Sequence, residues 1–419
     1  MVRRLLREYH LLEMPEEWNQ LAFDDHVHDA NTKGRKSPTH LIMDAWIKGI
    51  RRLTVIHYHF VRQETAVELL EAAAIMGMSV EIGIECLALH EGKHIKMVWT
   101  PRGFSQPTDL GEFLKKPDVR AFMRQGFDLS LRQQRYVLDL LTAFNERHRL
   151  TIAERHGFAL PPLDPEEFLA FVGAGQASVL HLARFIHDSL LPYMDARAAE
   201  TIQTASKADA CALLTERDAL DTEMLLDTYL SPEANPDIRL PEEPEPDEML
   251  PERLTIAPAE LAARFTSLHF KNRITLVTAE MTFADVLLAL FACKGAITNC
   301  DIFNLRVFET SGRDVGEALE LLSILNAGNV VALKRLIGHT AERMLIKRGV
   351  LGGQKGLGQK IGHFRERHQK PFFGIQVAKH LVVARVDGSD QRRTIIGDLT
   401  KARQIIRRPV IQTDQAGHA

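Results

Sequence analysis

Apolar and polar positions in the first hundred residues switch repeatedly between two periods. Phe23-Asp24-Asp25-His26-Val27-His28-Asp29 has the short, alternating character of a strand, and Leu41, Ile42, Ala45, Trp46 and Ile47 then recur at helical spacing before Gly49. Ser37 suits the N-cap of that helix and Pro38 its first turn. Leu53-Thr54-Val55-Ile56-His57-Tyr58-His59 is β-branched and apolar throughout, which predicts a second, buried strand. A helix over 64–76 follows, then a third strand over Ser79–Cys86. Strands alternating with helices of this length predict parallel βαβ units, whose carboxyl ends open on one rim. The stretch from Leu87 to Trp99 alternates around Glu91-Gly92-Lys93, the pattern of a hairpin.

Between about 109 and 229 the chain is mostly helical, with segments around 129–149, 164–172 and 176–191. Strand–helix alternation resumes with Arg273–Ala279, a helix over Phe283–Cys293 and a strand over Ala296–Leu305; a helical stretch follows over about 315–346. The chain therefore divides into an N-terminal arm (1–20), a first α/β part with a helical insertion (21–230), a linker (231–254), a second α/β part (255–346) and a C-terminal segment (347–419). The linker is acidic and proline-rich with little apolar content, which predicts an exposed stretch. The C-terminal segment is glycine-rich, and from Lys347 to Arg408 Lys and Arg outnumber acids by roughly four to one.

Composition adds bounds rather than identity. At 419 residues, 45% hydrophobic and 26% charged, the chain can fill one large core or two ordinary ones. A net charge of -3 selects no partner. Cys86, Cys211, Cys293 and Cys300 lack zinc-type spacing and predict reduced thiols. No apolar run is long enough to span a bilayer, and Arg7, Glu8 and His10 interrupt any signal-peptide core, so the expectation is a cytoplasmic protein with no membrane partner.

The chemistry concentrates at the predicted strand ends. His26 and His28 lie one residue apart, as do His57 and His59, and Glu85 ends the third predicted strand. Imidazoles and a carboxylate converging on one rim suit divalent Zn, Mn or Fe. Ions a few ångströms apart would stabilise both the attacking and the leaving oxygen of a phosphate ester. Arg35, in the loop after the first motif, is placed to contact a substrate phosphate. Gly352-Gly353-Gln354-Lys355-Gly356-Leu357-Gly358-Gln359-Lys360 fails the spacing of a nucleotide-binding phosphate loop. With Arg365, Arg367, His368 and Lys370 it reads as a basic flap for phosphates or nucleic-acid backbone, or as a solvated loop.

These motifs together resemble the polymerase-and-histidinol-phosphatase (PHP) superfamily. Asp24-Asp25-His26-Val27-His28 is similar to that family's Asp-x-His-x-His opening, and Ser37-Pro38 through Leu41, Ala45 and Gly49-Ile50 to its first helix. Ile56-His57-Tyr58-His59 stands where the family has Thr-Asp-His, and Gly83-Ile84-Glu85 matches its Gly-Ile-Glu. Arg132–Leu141 and Gly175–Leu182 resemble later helices. The resemblance covers about residues 20–190 well and 255–310 weakly. It implies an α/β fold, a distorted parallel (β/α)7-like barrel, and a phosphoesterase site with two or three divalent ions. Its ligands would be His26, His28, His59, Glu85 and His181, with Asp24 as a supporting group near the reaction. The substrate would be a phosphorylated small molecule or a nucleic acid.

The sequence departs from the family in three places. Ser-Asp-Gly is replaced by Thr32-Lys33-Gly34, and Thr-Asp-His by His57-Tyr58-His59. No late Asp-x-His is present; the nearest position is Ile361-Gly362-His363-Phe364-Arg365, which makes His363 a candidate ligand and Arg365 a candidate phosphate contact. His57 would compensate, by ligation or as a general acid for the leaving group, or else would pack inside the fold with its N–H on a backbone carbonyl. Two alternatives to a phosphoesterase stand beside it. One is an amidohydrolase-type metal hydrolase, which also opens with His-x-His. The other is a degenerate, non-catalytic domain that binds nucleic acid or a protein.

Overall fold

In the computed structural model the described residues run from 23 to 340, apart from 35, 105, 159, 205–214, 216–218, 244–248, 280, 302–315, 317–319, 322, 325–326 and 330. The expected N-terminal arm, Arg35, part of the acidic stretch, part of the last predicted helix and the whole basic segment with His363 and Arg365 lie outside them. The chain is α/β with a mixed sheet and falls into two compact units. One contains Glu85 and the described residues before it, together with Gly103–Thr255; the other contains Cys86–Arg102 and the described residues from Ile256 on.

In the first unit, β1 (Phe23–Val27), β2 (Arg52–Tyr58) and the leading half of β3 (Ser79–His90) pair in parallel. The connections are α1 (Pro38–Ile47) and α2 (Gln63–Met76). Ser37 caps α1 as expected, its hydroxyl accepting from the His40 amide with Pro38 in the first turn. Leu53 to His57 of β2 are all buried. A strand covered on both faces accounts for the unbroken apolar run that marked it in the sequence.

Two strand boundaries differ from expectation. β3 does not stop at Cys86 but continues to His90, so Glu85 lies within the strand rather than at its end. It still stands level with the end of β2, because the register pairs Tyr58 with Glu85. β2 itself ends at Tyr58, and His59 takes a left-handed backbone with φ 62°. That turn ends the strand alternation, so His57 and His59 do not share a strand face as their spacing suggested.

The rest of this unit is helical: α3 (Pro107–Lys115), α4 (Pro117–Ala143), a π-turn (Phe144–His148), α5 (Arg149–His156), α6 (Pro165–Val172), α7 (Val179–Thr204), α8 (Thr222–Tyr229) and a final turn, α9 (Glu252–Thr255). Val137, Leu141, Phe144, Phe168, Leu182 and Ile186 form the centre of its apolar core. The acidic stretch, expected to be exposed, is anchored here. Asn235 is buried, its amide donating to the Tyr229 and Ser231 carbonyls, and Arg132 donates to the Pro241 and Glu243 carbonyls at 2.6 Å.

In the second unit the end of β3 turns through Glu91 and Gly92, both at positive φ, into β4 (Lys93–Pro101). Two successive positive φ values match the tight turn that a two-residue hairpin favours. β4 runs antiparallel to β5 (Asn272–Val277), which pairs in parallel with β6 (Asn299–Asp301). This antiparallel step is a departure from the all-parallel order that strand–helix alternation predicted. α10 (Pro258–Leu268) covers β4, with Phe265 stacked on Trp99 at 5.4 Å, and α11 (Phe283–Ala292) begins at a capping box of Thr282 and Asp285.

One close approach is decisive for the first unit. A Cβ on Gly126 of α4 would lie 2.1 Å from the carbonyl oxygen of His59. Both obstructing groups are backbone, so neither can swing aside. Alanine in a helix interior is ordinarily favoured over glycine by about 1 kcal/mol. Here the clash outweighs that gain, and Gly126→Ala should lower stability by about 2 kcal/mol, read as a fall in the urea midpoint at unchanged m.

Candidate metal and hydrolase site

The first unit gathers its histidines at the carboxyl ends of β1 and β2. The bend at the end of β1, where its register to β2 shifts between Asp24 and Val27, sets the imidazole rings of His26 and His28 5.1 Å apart and steeply inclined. Asp24 holds this bend by accepting the His26 amide at 3.1 Å. Across the sheet, Nε2 of His26 comes within 3.7 Å of Oε2 of Glu85. That separation suits two ligands of one small ion better than it suits a hydrogen bond.

Two imidazoles have their tautomers fixed from behind. Nδ1 of His28 donates to the Ile56 carbonyl at 2.9 Å, and Nδ1 of His181 to the Gln176 carbonyl at 3.1 Å. A carbonyl can only accept, so in each ring the lone pair is left on Nε2. This is the support that metal-ligating histidines usually receive. Ser178 contributes at His181 by accepting its backbone amide, and Gln176 also donates to the Tyr58 carbonyl at the end of β2.

His57 and His59 occupy different surroundings. His57 is 2% exposed and faces the fully buried Asp29, Nε2 to Oδ2 at 3.9 Å. The Asp29 carboxylate accepts instead from the backbone and side-chain amides of Asn31. Nε2 of His57 therefore has no hydrogen-bond partner among the described residues. It is neither bonded to a carbonyl nor joined to the His26–Glu85 pair. His59, turned by its left-handed backbone, donates its amide to the Glu85 carbonyl at 2.8 Å, and its Nδ1 is likewise buried without a partner among the described residues.

Electrostatics follows from this burial. Burial pushes the His59 imidazole down to about 3, and the Arg253 guanidinium adds to the effect. His57 is lowered by burial against the opposing pull of Asp29; His181 is lowered by burial and by Arg184, against its bond to the Gln176 carbonyl. All three are held in the neutral form that can donate a lone pair to a cation.

The donor chemistry thus fits a divalent ion, and His26 with Glu85 supplies a suitably spaced pair. The enclosure is incomplete: among the described residues no three His, Cys, Asp or Glu side chains converge to hold an ion. Sequence reasoning placed His26, His28 and Glu85 on one rim, and the contacts bring His28 beside His26 and His26 to Glu85. It missed Asp29 as the neighbour of His57, and Gln176 and Arg253 behind His181 and His59. Asp29 was visible in the motif, but its approach to residue 57 joins two different strand ends and could not be read from either segment alone. Among the described residues Cys86, Cys293 and Cys300 form no disulfide, and no helix is long and apolar enough to cross a membrane.

Histidines that are neutral when folded but free to protonate when unfolded make stability depend on pH. Below 6.5 the unfolded chain binds more protons than the native one, so stability falls as pH drops towards about 3. At pH 5 His59 alone should cost about 2 kcal/mol relative to pH 7.5. Calorimetry of chelator-treated protein should show this loss, and His59→Phe should reduce the slope.

No family model matches the sequence, and no curated protein matches it. Among solved structures, the chain is similar to a candidate metal-dependent phosphoesterase from Bifidobacterium adolescentis, at 13% identity and a TM-score of 0.40, over 70% of this chain and 84% of that one. It is also similar to an amidohydrolase from Chromobacterium violaceum with bound sulfate and no metal, at 12% identity and a TM-score of 0.41, over 69% and 81%. Likenesses this distant assign no activity to the chain.

Proposed function

We propose that this protein is a metal-dependent hydrolase of phosphate esters, with its reaction centre at the carboxyl ends of β1 and β2. The observation that carries the reading is the 3.7 Å approach of His26 and Glu85 from two different strands, beside a His28 whose tautomer is preset for ligation. His26, His28 and Glu85 would hold the first divalent ion (zinc, manganese or iron), and His59 and His181 complete the set for a second or third. When bound, such an ion supplies Lewis acidity toward a phosphoryl oxygen. The chain's own contribution is positioning. Asp24 fixes the backbone of His26, the Ile56 carbonyl aims Nε2 of His28, and Gln176 ties the loop before α7 to the end of β2. His57, buried against Asp29 and held neutral, would have to take up a proton before serving as the candidate acid for the leaving group; Arg35 and Arg365 are candidates for the phosphate-facing side and His363 for a further metal ligand. In this reading the sheet belongs to a PHP-like barrel and the protein works in the cytoplasm.

One observation favours a second reading. The described residues bring together no group of three metal-binding side chains, as a degenerate domain kept for binding nucleic acid or protein would. Elemental analysis of the purified protein, with turnover of p-nitrophenyl phosphate and its bis ester under added Mn²⁺ or Zn²⁺, separates the two. A hydrolase should carry stoichiometric metal. His26→Ala and Glu85→Gln should each lose metal and lower turnover by about a hundredfold. A wild-type protein that binds no divalent ion and turns over neither ester would reject the hydrolase.

A further inference from the structure

Four of the candidate ligands are placed by the sheet. His26 lies in β1, His28 directly after it, His59 directly after β2, and Glu85 in β3. Their relative positions follow from strand register. His181 has no such origin. It is buried in the first turn of α7, where Ser178 accepts its backbone amide at 3.2 Å. A helix can turn or slide as a unit without breaking its own hydrogen bonds, so this cap does not fix where the ring stands relative to the sheet.

Gln176 supplies that relation by using both of its ends. Its main-chain carbonyl accepts from Nδ1 of His181 at 3.1 Å, and its side-chain amide donates to the Tyr58 carbonyl at 2.8 Å, 118 residues away in sequence. The Ser178 hydroxyl lies 3.1 Å from the same imidazole nitrogen. Tyr58 is the last residue of β2 and stands in register with Glu85, and the following amide, that of His59, bonds the Glu85 carbonyl at 2.8 Å. The His181 ring is thereby joined to the strand ends through two hydrogen bonds and one residue. The backbone beside it is closely fitted, since a Cβ on Gly175 would lie 2.5 Å from the Ala30 carbonyl oxygen in the loop after β1. A neutral amide also suits the place. It donates to a carbonyl without adding positive charge beside a cation, as lysine or arginine would, and without competing as a ligand, as histidine or a carboxylate would.

We propose that Gln176 is a positioning residue that carries His181 to the metal centre, so that one bound ion depends on the bond from Gln176 to Tyr58 while the ion held by His26 and Glu85 does not. The inference rests on the hydrolase reading for the presence of ions, and it divides the centre into an ion set by the sheet and an ion set by the loop before α7. Groups that orient a metal ligand from behind change affinity by about 10–100-fold when removed, which makes the division measurable.

The test uses the full chain with Zn²⁺ as the probe. By calorimetry the wild type should bind at least two ions. Gln176→Met, similar in length but without the donor, should weaken one of them about tenfold or more and leave the other within about threefold. His181→Ala should weaken the same ion, and the double variant should bind it no more weakly than His181→Ala alone, because both changes act through one ligand. A second readout needs neither metal nor turnover. In chelator-treated protein carrying isotope-labelled histidine, the Nδ1–H of His181 should exchange with water about tenfold faster or more in Gln176→Met than in the wild type. Gln176→Asn keeps an amide but shortens its reach; it should give the same losses and replaces the methionine variant if that one does not fold. Equal weakening of every ion, a loss that adds to that of His181→Ala, or an unaltered Nδ1–H exchange rate overturns the proposal. A wild type holding a single ion that is indifferent to residue 176 overturns it and leaves the hydrolase reading standing. Zn²⁺ binding that depends on Gln176, without turnover of either ester, upholds it and rejects the hydrolase reading, and a wild type that binds no ion rejects both.

Discussion

The parallel register between β2 and β3 is the constraint on which the candidate site depends. Seven consecutive pairs, from Arg52 with Ser79 to Tyr58 with Glu85, fix how far each strand reaches. A slip of one residue would turn Glu85 to the opposite face of the sheet and remove it from His26. The buried run from Leu53 to His57 prevents that slip, because both faces of β2 are packed. The same register places the end of β2 beside the Glu85 carbonyl, which receives the His59 amide as the chain leaves the strand. Everything polar at the site is thus hung from an apolar ladder.

The loops around that ladder are held by backbone as much as by side chains. Asp29 organises the turn after β1, Gln176 reaches the Tyr58 carbonyl from the loop before α7, and α4 passes so close to His59 that only glycine fits at 126. Two separate segments, the loop before α7 and α4, therefore bear on the short stretch from Tyr58 to His59. That rigidity is what a binding site needs if its imidazoles are to keep their orientation before a ligand arrives.

What the sequence disclosed was what local chemistry specifies. Ser37 and Pro38 announced α1, the unbroken apolar run announced β2, and the alternation about Glu91-Gly92 announced the hairpin. The nearness of His26 to Glu85 was legible because parallel βαβ units bring successive strand ends together. Longer-range facts were not legible. Period-2 reasoning set His57 and His59 on one face, yet His59 turns left-handed where its backbone lies against α4, about seventy residues away. Arg132 holds an acidic stretch about 110 residues further on through backbone carbonyls, which carry no side-chain signature at all. Glu85 looked terminal because the hairpin beyond it seemed a separate element, whereas β3 runs through both.

The pairing of His57 with Asp29 has an implication for how this fold trades robustness for purpose. A fully enclosed imidazole with an unsatisfied nitrogen is a standing penalty, of the order of 1–3 kcal/mol, that a leucine or methionine of similar bulk would remove. Selection for thermal endurance alone would erase it. An engineered, heat-tolerant descendant of this chain would accordingly be expected to lose residue 57 as a histidine early, and the temperature it gained would measure what the native molecule forgoes to keep an imidazole there.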